Sequence, residues 1–292
     1  MKLKLNVAYL YLVPSSFFFF LFLLYPIFYT FYLSFFNWNG ISPTMHYVGL
    51  GNYMELLEDP TFMLSLRNTI IWTILAIIVP VSLGLLLASL IDSLSKGKSA
   101  FLSLLAIPCV LSLVAVGLIW QFIYDPIFGF LNLFLKLIGL GHLAQAWLGN
   151  PSLALYAVFI AASWQYTPYC MLLFYAGLQG IPRELYEAAS IDGATGLKRY
   201  FYITLPLLKK ISTIVILITI IGSLRVFDAV YVMTMGGPGE ASEVVALYLY
   251  KLAFKTYRMG YAAAMAVFLF ILILAVAFIY IRVFWGGRKE VE

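Results

Sequence analysis

The sequence predicts an all-α, polytopic membrane protein that crosses the bilayer with six helices. Of its 292 residues, 63% are hydrophobic and only 11% are charged, whereas soluble domains contain about 45–50% apolar and about 25% charged residues. The charges lie between apolar runs that are each long enough for the roughly 20 residues of a crossing helix. This composition excludes a soluble enzyme, a nucleic-acid-binding protein and a disordered chain, because water would face too much apolar surface.

Six apolar runs account for the predicted transmembrane helices. The fifth run in chain order begins at Ile211 and is interrupted by Arg225 and Asp228. The other five contain no Asp, Glu, Lys or Arg and predict helices over residues 7–32, 68–91, 99–124, 152–178 and 259–281. Lys2 and Lys4 precede the first run as in a signal peptide. That run exceeds the usual core of about 7–15 residues, so we expect an uncleaved helix.

The positive charges predict that both termini lie in the cytoplasm. Twelve of the 18 Lys and Arg residues fall on one side of the predicted helices and five fall on the other side. Cytoplasmic loops accumulate Lys and Arg, and an even number of crossings also requires both termini on one side. We therefore expect a multi-pass protein of the cell (inner, or cytoplasmic) membrane.

The predicted organisation has three parts. Residues 1–66 contain the first helix and an external segment, and residues 67–285 form a core with the other five helices. Residues 286–292 are predicted to be a cytoplasmic tail. Within the core, residues 179–210 form the longest internal loop, which lies on the cation-rich side.

This cytoplasmic loop predicts two short helices at the membrane surface. Pro182 favours the start of the first helix, where its missing N–H is no loss. Glu184 and Glu187 then fall in the first turns, where the helix dipole favours anions. Asp192-Gly193 is predicted to end this helix, and a second one is predicted over 197–204, just before the next proline. From these residues alone, the loop is either a docking surface for a partner or a simple amphipathic connector.

The pattern of the loop resembles the loop signature of ABC importer permeases. It reads Glu187-Ala188-Ala189, three residues, Gly193, nine residues and Ile203-Thr204-Leu205-Pro206. The strings over 178–182 and 191–194 are similar to the carbohydrate branch of that family, as in maltose and glycerol-phosphate permeases. Further similarities to this branch extend over most of the chain: Val48-Gly49-Leu50, Asn52-Tyr53, Asp59-Pro60, Arg67-Asn68-Thr69, Phe227-Asp228, Thr234, Gly236-Gly237-Pro238-Gly239 and Gly260-Tyr261-Ala262-Ala263-Ala264.

The resemblance implies the type I ABC importer permease fold, in a compact six-helix version without the extra amino-terminal helices and external insert of the maltose permease. In that family the loop forms a coupling helix that sits in a cleft of the cytoplasmic ATPase subunit. By similarity, Glu187 pairs with a cation of the ATPase, Ala188 and Ala189 allow close approach, and Gly193 provides the following turn. The remaining loop positions carried over from the pattern are Asp192, Leu205 and Pro206.

The same resemblance implies a multi-subunit importer. It contains a second permease, expected to be a different chain, two ATP-binding subunits and an external solute-binding protein. The permease is also expected to contact membrane lipid. We expect this chain to bind no metal, cofactor or nucleic acid and not to be an enzyme. Its P-loop-like string, Gly97-Lys98-Ser99, has Asp92 where the first glycine is required and follows a membrane helix instead of a strand. ATP is therefore expected to be bound by a partner subunit.

Polar and aromatic residues within the predicted helices are candidates for a solute pathway. Aromatic rings beside amides suit a sugar, which has apolar C–H faces and many hydroxyls. Trp164, Gln165, Tyr166 and Tyr169 provide this combination near the middle of the fourth predicted helix. Gln121 lies near the outer end of the third, where an aromatic belt is the alternative explanation for the neighbouring rings.

Arg225 and Asp228 complete the candidate pathway. Ionisable residues inside membrane helices are costly and usually functional. Three residues apart on the fifth predicted helix, the two side chains are expected to share a face and partly neutralise each other. They form either an external gate or wall of the pathway, or a self-satisfied pair at a packed interface.

These features together predict the permease subunit of a binding-protein-dependent importer that moves a mono- or oligosaccharide, driven by ATP hydrolysis in a partner. A glycerol-phosphate permease is an alternative, although only Arg225 offers a cation within a predicted helix. An ion-coupled secondary transporter is less favoured, because no obvious repeat occurs and Asp228 is the only acidic residue within a predicted helix. An intramembrane enzyme would need a catalytic motif such as His-Glu-x-x-His, which the sequence lacks.

Overall fold

The structure is a computed structural model that describes the chain from Val7 to Phe284, with side chains described from Tyr11 onwards. Lys2, Lys4 and the predicted tail at 286–292 lie outside the described residues.

Helices dominate the described chain, which confirms the predicted all-α class. The first half contains α1 (Val7–Phe19), a π-helical turn (Phe20–Leu24), α2 (Tyr25–Leu33), β1 (Phe36–Asn37), β2 (His46–Tyr47), α3 (Gly51–Glu58), α4 (Pro60–Ser93), α5 (Lys98–Val110), α6 (Leu113–Ile123), α7 (Phe130–Leu137) and a 3₁₀ turn (Gly141–Leu143). The second half contains α8 (Ala154–Gln179), α9 (Arg183–Ile191), α10 (Gly196–Arg199), a π-helical turn (Tyr200–Thr204), α11 (Leu205–Leu207), α12 (Lys209–Leu224), α13 (Asp228–Met233), α14 (Val245–Phe254) and α15 (Met259–Phe284). The two strands form one antiparallel hairpin, with Phe36 opposite Tyr47.

Six membrane crossings can be assigned within the described part of the chain. Four helical stretches are long and apolar enough to cross a bilayer, namely Tyr11–Leu33, α4, α8 and α15. Two further pairs of helices pass the same test together but are bent, α5 with α6 by 92° and Gly196–Leu207 with α12 by 67°. Counting each bent pair as one crossing gives the six that the sequence predicts.

The third predicted crossing is not the continuous helix expected over 99–124. It breaks at Leu111 and Ser112, whose backbone is extended. Ser112 then caps α6, because its side-chain oxygen accepts a hydrogen bond from the Ala115 N–H at 3.2 Å. The sequence did not indicate this break, because Ser112 lies between apolar residues inside a run without charges.

The fifth predicted crossing ends at Leu224, so the prediction that Arg225 and Asp228 share one helix face is wrong. The last turn of α12 tightens through bonds from the Arg225 N–H to Gly222 O and from the Val226 N–H to Ser223 O. Asp228 then begins the separate helix α13, where a carboxylate is favoured by the helix dipole.

The cytoplasmic loop folds into short helices, as predicted, but its second helical stretch begins at Gly196 and continues through Pro206. The expectation that this helix ends before Pro206 is therefore wrong. The π-helical turn explains the difference, since Tyr200 O accepts from the Leu205 N–H and the proline enters at the start of α11, where no donor is needed.

The chain divides into two compact units. The first consists of the chain up to Phe62 together with Tyr248–Leu272, and the second consists of Met63–Leu247 with the segment from Ile273 onwards. The three-part organisation predicted from the sequence, with a boundary after residue 66, stays a prediction.

Asp59 organises part of the first unit. Its Oδ1 accepts the N–H groups of Thr61 and Phe62 at the start of α4, and its Oδ2 accepts the hydroxyls of Tyr248 and Tyr261 at 2.7 and 2.8 Å. Partial burial alone would raise the pKa of this carboxyl, but the hydrogen bonds together hold the pKa below its ordinary value.

Small residues allow the helices of the second unit to pack closely. A Cβ on Gly84 of α4 would lie 2.6 Å from Cys170 Cβ on α8, and a Cβ on Gly177 of α8 would lie 2.8 Å from Ile211 Cγ1 on α12. Close backbone approach at glycine is the usual way in which membrane helices associate. These contacts hold α4, α8 and α12 around one buried apolar cluster: Val81, Ala88, Ile91, Cys170, Met171, Phe174, Leu178, Leu208 and Val215.

Candidate functional site

A cavity of about 470 Å³ lies within the second unit. Along α4 and α8 its lining residues precede those of the apolar cluster, and along α12 they follow them. Residues of α4, α8 and α12 form most of its wall, and Leu113 at the start of α6 and the residues that follow α12 complete it. Its lining consists of Trp72, Ala76, Pro80, Leu113, Phe159, Ala162, Ser163, Gln165, Tyr166, Thr219, Gly222, Ser223, Arg225, Val226, Phe227, Asp228 and Ala229.

Four aromatic rings contribute to the cavity wall. Trp72 and Phe159 meet edge to face with their ring centroids 5.2 Å apart. Phe227 stacks on Tyr231 at 5.1 Å, and Tyr166 contributes a ring with a hydroxyl. Rings held in this way offer apolar surface that suits the C–H face of a sugar ring.

Tyr166 also presents a hydrogen-bond acceptor. Its hydroxyl lies 3.2 Å from Thr219 Oγ1. Because the Thr219 hydroxyl donates its single proton to Val215 O at 2.8 Å, Tyr166 must be the donor to Thr219. The lone pairs of the Tyr166 oxygen therefore stay available to a ligand.

Gln165 lines the cavity and also makes a hydrogen bond within the protein. Its Nε2 donates to Leu111 O at 3.1 Å, which links α8 to the break in the third crossing. The break leaves carbonyls without helical partners, and the Gln165 amide satisfies one of them.

Ser163 carries a buried polar atom without a partner. The residue is 6% exposed, and its Oγ has no hydrogen-bond partner within the part of the chain that the structure describes. Buried hydroxyls are nearly always hydrogen-bonded, so Ser163 is an exception, and its Oγ has almost no surface that a ligand in the cavity could contact. Ser163 was not among the residues predicted from the sequence, although its position three residues before Tyr166 puts both on one helix face.

Arg225 and Asp228 both line the cavity, but they do not neutralise each other. Both side chains are exposed. Between residues 11 and 284, neither side chain makes an ion pair or a hydrogen bond. Each is therefore free to bind a solute, Arg225 as a fork of donors and Asp228 as an acceptor.

Three residues predicted for the pathway do not line this cavity. Trp164 lies on the other side of α8, where its ring meets Trp120 at 6.0 Å, and Tyr169 packs its ring 5.5 Å from that of Tyr166. Gln121 donates from Nε2 to the carbonyls of Val232 and Met233, which ties α6 to the end of α13. Neighbouring positions of a helix point about 100° apart, so a string such as 164–166 cannot face one cavity as a whole.

The loop residues predicted to meet a partner lie together on the surface. Glu187 and Ala188 of α9 are exposed, whereas Ala189 is buried and its carbonyl accepts the Ala194 N–H at 2.8 Å. Asp192 ends the helix, and Gly193 has a φ of 77°, a left-handed conformation that favours glycine. The tight turn thus leaves the Glu187 face of α9 accessible.

Tyr186 fixes α9 against the rest of the loop. The Arg199 guanidinium lies 5.4 Å from its ring centroid, and the Thr204 hydroxyl donates to the Tyr186 oxygen at 3.3 Å. Leu205 is half-buried and Pro206 is exposed behind this contact. Large apolar side chains of the loop remain exposed: Leu185, Ile191, Leu197, Phe201, Tyr202 and Leu207.

An ionic cluster joins three helix ends. Asp92 Oδ1, at the end of α4, lies 3.2 Å from Lys98 Nζ at the start of α5 and accepts a hydrogen bond from Gln179 Nε2 at the end of α8. In the sequence, Asp92 and Lys98 stand out only as parts of an incomplete P-loop. Residues so far apart in the chain can be linked only once the helices are placed.

Comparison with known proteins identifies the family. Residues 81–284 match the family of binding-protein-dependent transport system inner membrane components. The chain is 39% identical over 286 residues to a probable ABC transporter permease protein, YurN, of Bacillus subtilis, with 97% of this chain and 98% of the relative covered.

Two further relatives have names that state a solute. The arabinooligosaccharides transport system permease protein AraP of Bacillus subtilis is 37% identical over 292 residues, covering 98% of this chain and 91% of the relative. The trehalose/maltose transport system permease protein MalF of Thermococcus litoralis is 34% identical over 288 residues, covering 97% and 96%.

A solved structure shows the same fold. A chain of a bacterial ABC transporter that imports the acidic polysaccharide alginate superposes with a TM-score of 0.86 at 23% identity, covering 97% of this chain and 96% of that chain. The chain is thus an integral membrane permease with the ABC importer permease fold, and it belongs to the family of binding-protein-dependent transport system inner membrane components.

Proposed function

We propose that this permease moves a sugar across the cytoplasmic membrane as part of an ABC importer, and that the cavity is part of the solute's path. The observation that carries the proposal is the composition of the cavity wall, in which aromatic rings alternate with hydroxyls, an amide and the unpaired Arg225 and Asp228. The names of the relatives support it, since AraP is named for arabinooligosaccharides and MalF for trehalose and maltose.

The cavity chemistry favours a neutral mono- or oligosaccharide over glycerol phosphate. Arg225 is the one cation in the lining, and Asp228 lines the same cavity with the opposite charge. A doubly charged phosphate group would meet repulsion from Asp228 and would find one guanidinium instead of several. A sugar hydroxyl can donate to Asp228 and accept from Arg225, so both charges serve a neutral ligand.

The exposed face of α9 is the proposed contact with a partner that binds ATP. Glu187 offers an anion, Ala188 allows close approach, and the turn through Asp192 and Gly193 leaves this face open. Leu205 and Pro206 belong to the stretch that packs behind it. The chain itself is proposed to bind no ATP, metal or other cofactor.

The proposed assembly contains two permease subunits, of which the second is a different chain, two ATP-binding subunits and an external solute-binding protein. The excess of Lys and Arg on the side of the α9 loop supports a cytoplasmic position for this loop and for both termini. Membership of the importer family argues against the ion-coupled secondary transporter.

Reconstitution tests this function directly. The complex that copurifies with the full chain is placed in proteoliposomes with its solute-binding protein, and uptake of labelled maltose, trehalose, arabinooligosaccharides and glycerol phosphate is measured with and without ATP. Sugar uptake that requires ATP is the expected result. Uptake of glycerol phosphate alone, or uptake driven by an ion gradient without ATP, would contradict the proposal.

A further inference from the structure

Residues 125–147, which we call the α7 segment, bury a polar side chain and expose their apolar ones. Asn132 is 1% exposed, whereas Leu137 is 84%, Phe128 81% and Phe130 68% exposed. Other large apolar side chains of the segment are exposed too: Ile127, Leu133, Phe134, Ile138, Leu140 and Leu143. A loop in water is expected to show the opposite arrangement.

Asn132 satisfies the polar groups of the segment from within. Its Nδ2 donates to Pro126 O at 3.2 Å and to Gln145 O at 2.9 Å. Its Oδ1 accepts from the Gln145 N–H and from Trp147 Nε1 at 2.8 Å. One buried side chain therefore ties both ends of the segment together without help from solvent.

The turns on both sides of α7 satisfy part of the backbone as well. Asp125 Oδ1 accepts the N–H groups of Ile127 and Phe128 at 2.9 and 2.8 Å, and Asp125 O accepts the Gly129 N–H. After α7, the Leu140 N–H donates to Leu135 O at 2.8 Å, whereas the first turn of α7 has no side-chain cap. Each internal bond lowers the cost of moving backbone polar groups out of water, which any segment that enters hydrocarbon must meet.

The exposed face of the segment is almost uncharged and continues the apolar face of a membrane crossing. Among residues 127–143, the titratable side chains are Lys136 and His142, both exposed, and no Asp or Glu occurs. α6 exposes Val114, Leu118 and Phe122, which are four residues apart and so form one apolar stripe that leads into the segment. A protein interface would carry a polar rim around its apolar centre, which these two side chains alone do not provide.

We propose that the α7 segment lies in the bilayer, with Phe128, Phe130 and Leu137 against lipid acyl chains. α7 has eight residues and is about 12 Å long, too short to cross the hydrocarbon, so the segment enters and leaves on one side. Lys136, in its last turn, reaches from this position to the lipid headgroups. The chain between the third and fourth crossings is thus a membrane-embedded hairpin instead of an aqueous loop.

Spin labels on the full chain test this placement. Cys109 and Cys170 are replaced by Ser, a nitroxide is attached at Phe128→Cys or Leu137→Cys, and the protein is reconstituted with its copurifying subunits in phosphatidylcholine–phosphatidylglycerol vesicles. Power-saturation spectroscopy then measures collisions with oxygen, which concentrates in hydrocarbon, and with a water-soluble nickel chelate. Labels at Leu118 and Lys255 serve as the lipid and water controls.

High oxygen and low nickel accessibility at both positions, as at Leu118, is the expected result. High nickel accessibility would show an aqueous loop, and low accessibility to both would show a protein partner such as the second permease; either result overturns the proposal.

A second experiment leaves the buried Cys170 intact. Leu137→Lys is expected to lower the amount of folded protein recovered from membranes several-fold relative to Leu137→Ala, because a charge would enter hydrocarbon. Equal recovery of the two variants would contradict the proposal, since a side chain 84% exposed to water would tolerate lysine.

Discussion

Ser163 is a cavity-lining residue whose buried hydroxyl lacks a hydrogen-bond partner. Its Oγ has no protein partner in the described chain and almost no accessible surface. A buried polar group that stays unsatisfied costs about 1–3 kcal/mol. We therefore expect Ser163→Ala to raise the melting temperature in detergent and to leave the KM for sugar uptake unaltered.

The matched control for this variant is Ser89→Ala. Ser89 Oγ donates to Leu85 O on α4, and Ser89 does not line the cavity. Its replacement removes a hydroxyl that is already hydrogen-bonded and should not raise the melting temperature. If Ser163→Ala does not raise it either, the Ser163 oxygen is not an unsatisfied buried group.

Asp59 predicts a pH-dependent contribution to stability. Its pKa is lowered in the folded protein by hydrogen bonds that include the hydroxyls of Tyr248 and Tyr261. A carboxyl whose folded pKa is depressed stabilises the fold above its unfolded pKa of about 3.9, and this stabilisation is lost as the pH falls through the folded value.

We therefore expect the melting temperature of Asp59→Asn in detergent to lie below that of the parent protein at neutral pH, with the gap closing below about pH 4. Glu55→Gln removes a carboxylate that pairs with Arg258 at the surface and serves as the control, with a much smaller effect. A gap that does not change with pH would show that the Asp59 charge is not what stabilises the fold.

At the scale of elements, the apolar runs of the sequence locate the helices well and their ends poorly. Long charge-free runs identify apolar helices because hydrocarbon excludes charges. They do not show where a helix breaks, since the cap at Ser112 and the tightened turn before Arg225 depend on single hydrogen bonds. The break also explains Gln165, whose amide bonds the Leu111 carbonyl that the break exposes.

The structure explains two residues, Asn52 and Gly260, that the sequence matched to the carbohydrate branch without a physical reason. Asn52 Nδ2 donates to the carbonyls of Ser34 and Phe36, and a Cβ on Gly260 would clash with Phe36 O. The spacing of these residues in the sequence does not indicate the contacts, because Asn52 is 16 and 18 residues from its partners and Gly260 is much farther from Phe36. The packing gives these matched residues a physical reason.

Gly84 tests the close approach of α4 and α8. An added Cβ would lie 2.6 Å from Cys170 Cβ and 2.8 Å from the Met171 backbone nitrogen, and backbone cannot move aside cheaply. We expect Gly84→Ala to destabilise the protein by about 1–3 kcal/mol through overpacking, measured as a lower melting temperature in detergent. Gly222→Ala, where nothing lies within 4 Å, should be neutral. Equal melting temperatures would mean that the helices are not in such close contact.

The turn at Gly193 tests the shape of the cytoplasmic loop. Its φ of 77° is left-handed, and an added Cβ would meet nothing within 4 Å, so strain and not space decides which residue is tolerated. Gly193→Val should cost about 1–2 kcal/mol in this conformation and lower ATP-driven uptake, whereas Gly193→Asn should stay near the parent rate because Asn tolerates it. Equal uptake by the two variants would show that coupling does not require this turn.

At the scale of the whole molecule, the residues predicted for a solute pathway overlap with the lining of the cavity only in part. Gln165, Tyr166, Arg225 and Asp228 were among the candidates and do line the cavity, whereas Trp164, Tyr169 and Gln121 do not. Trp72 and Thr219 were not candidates, because they lie on helices whose apolar pattern carries no signal of which face meets α8. Which faces meet is decided by close packing at residues such as Gly84 and Gly177.

Coupling between the cytoplasmic loop and the membrane helices is the property of the whole molecule that the proposed function requires. Glu187 and Glu184 lie one turn apart on α9, and both are exposed, so reversing either charge should change stability by less than about 0.5 kcal/mol. Loss of a charge pair at a subunit contact costs about 2–5 kcal/mol. We therefore expect Glu187→Lys to lower ATP-driven uptake by about 10-fold or more, with Glu184→Lys within about 2-fold of the parent.

Both variants should be recovered from membranes in equal amounts and melt at the same temperature, so that a loss of uptake reports the contact with the ATP-binding partner and not folding. Uptake and ATP hydrolysis are measured together in proteoliposomes, because a coupling defect lowers the uptake per ATP hydrolysed or abolishes stimulation of the ATPase by the loaded binding protein. Equal uptake by the two variants, whether both are active or both are inactive, would remove the specific role proposed for Glu187 and leave the exposed apolar residues Ile191 and Leu197 to make the contact.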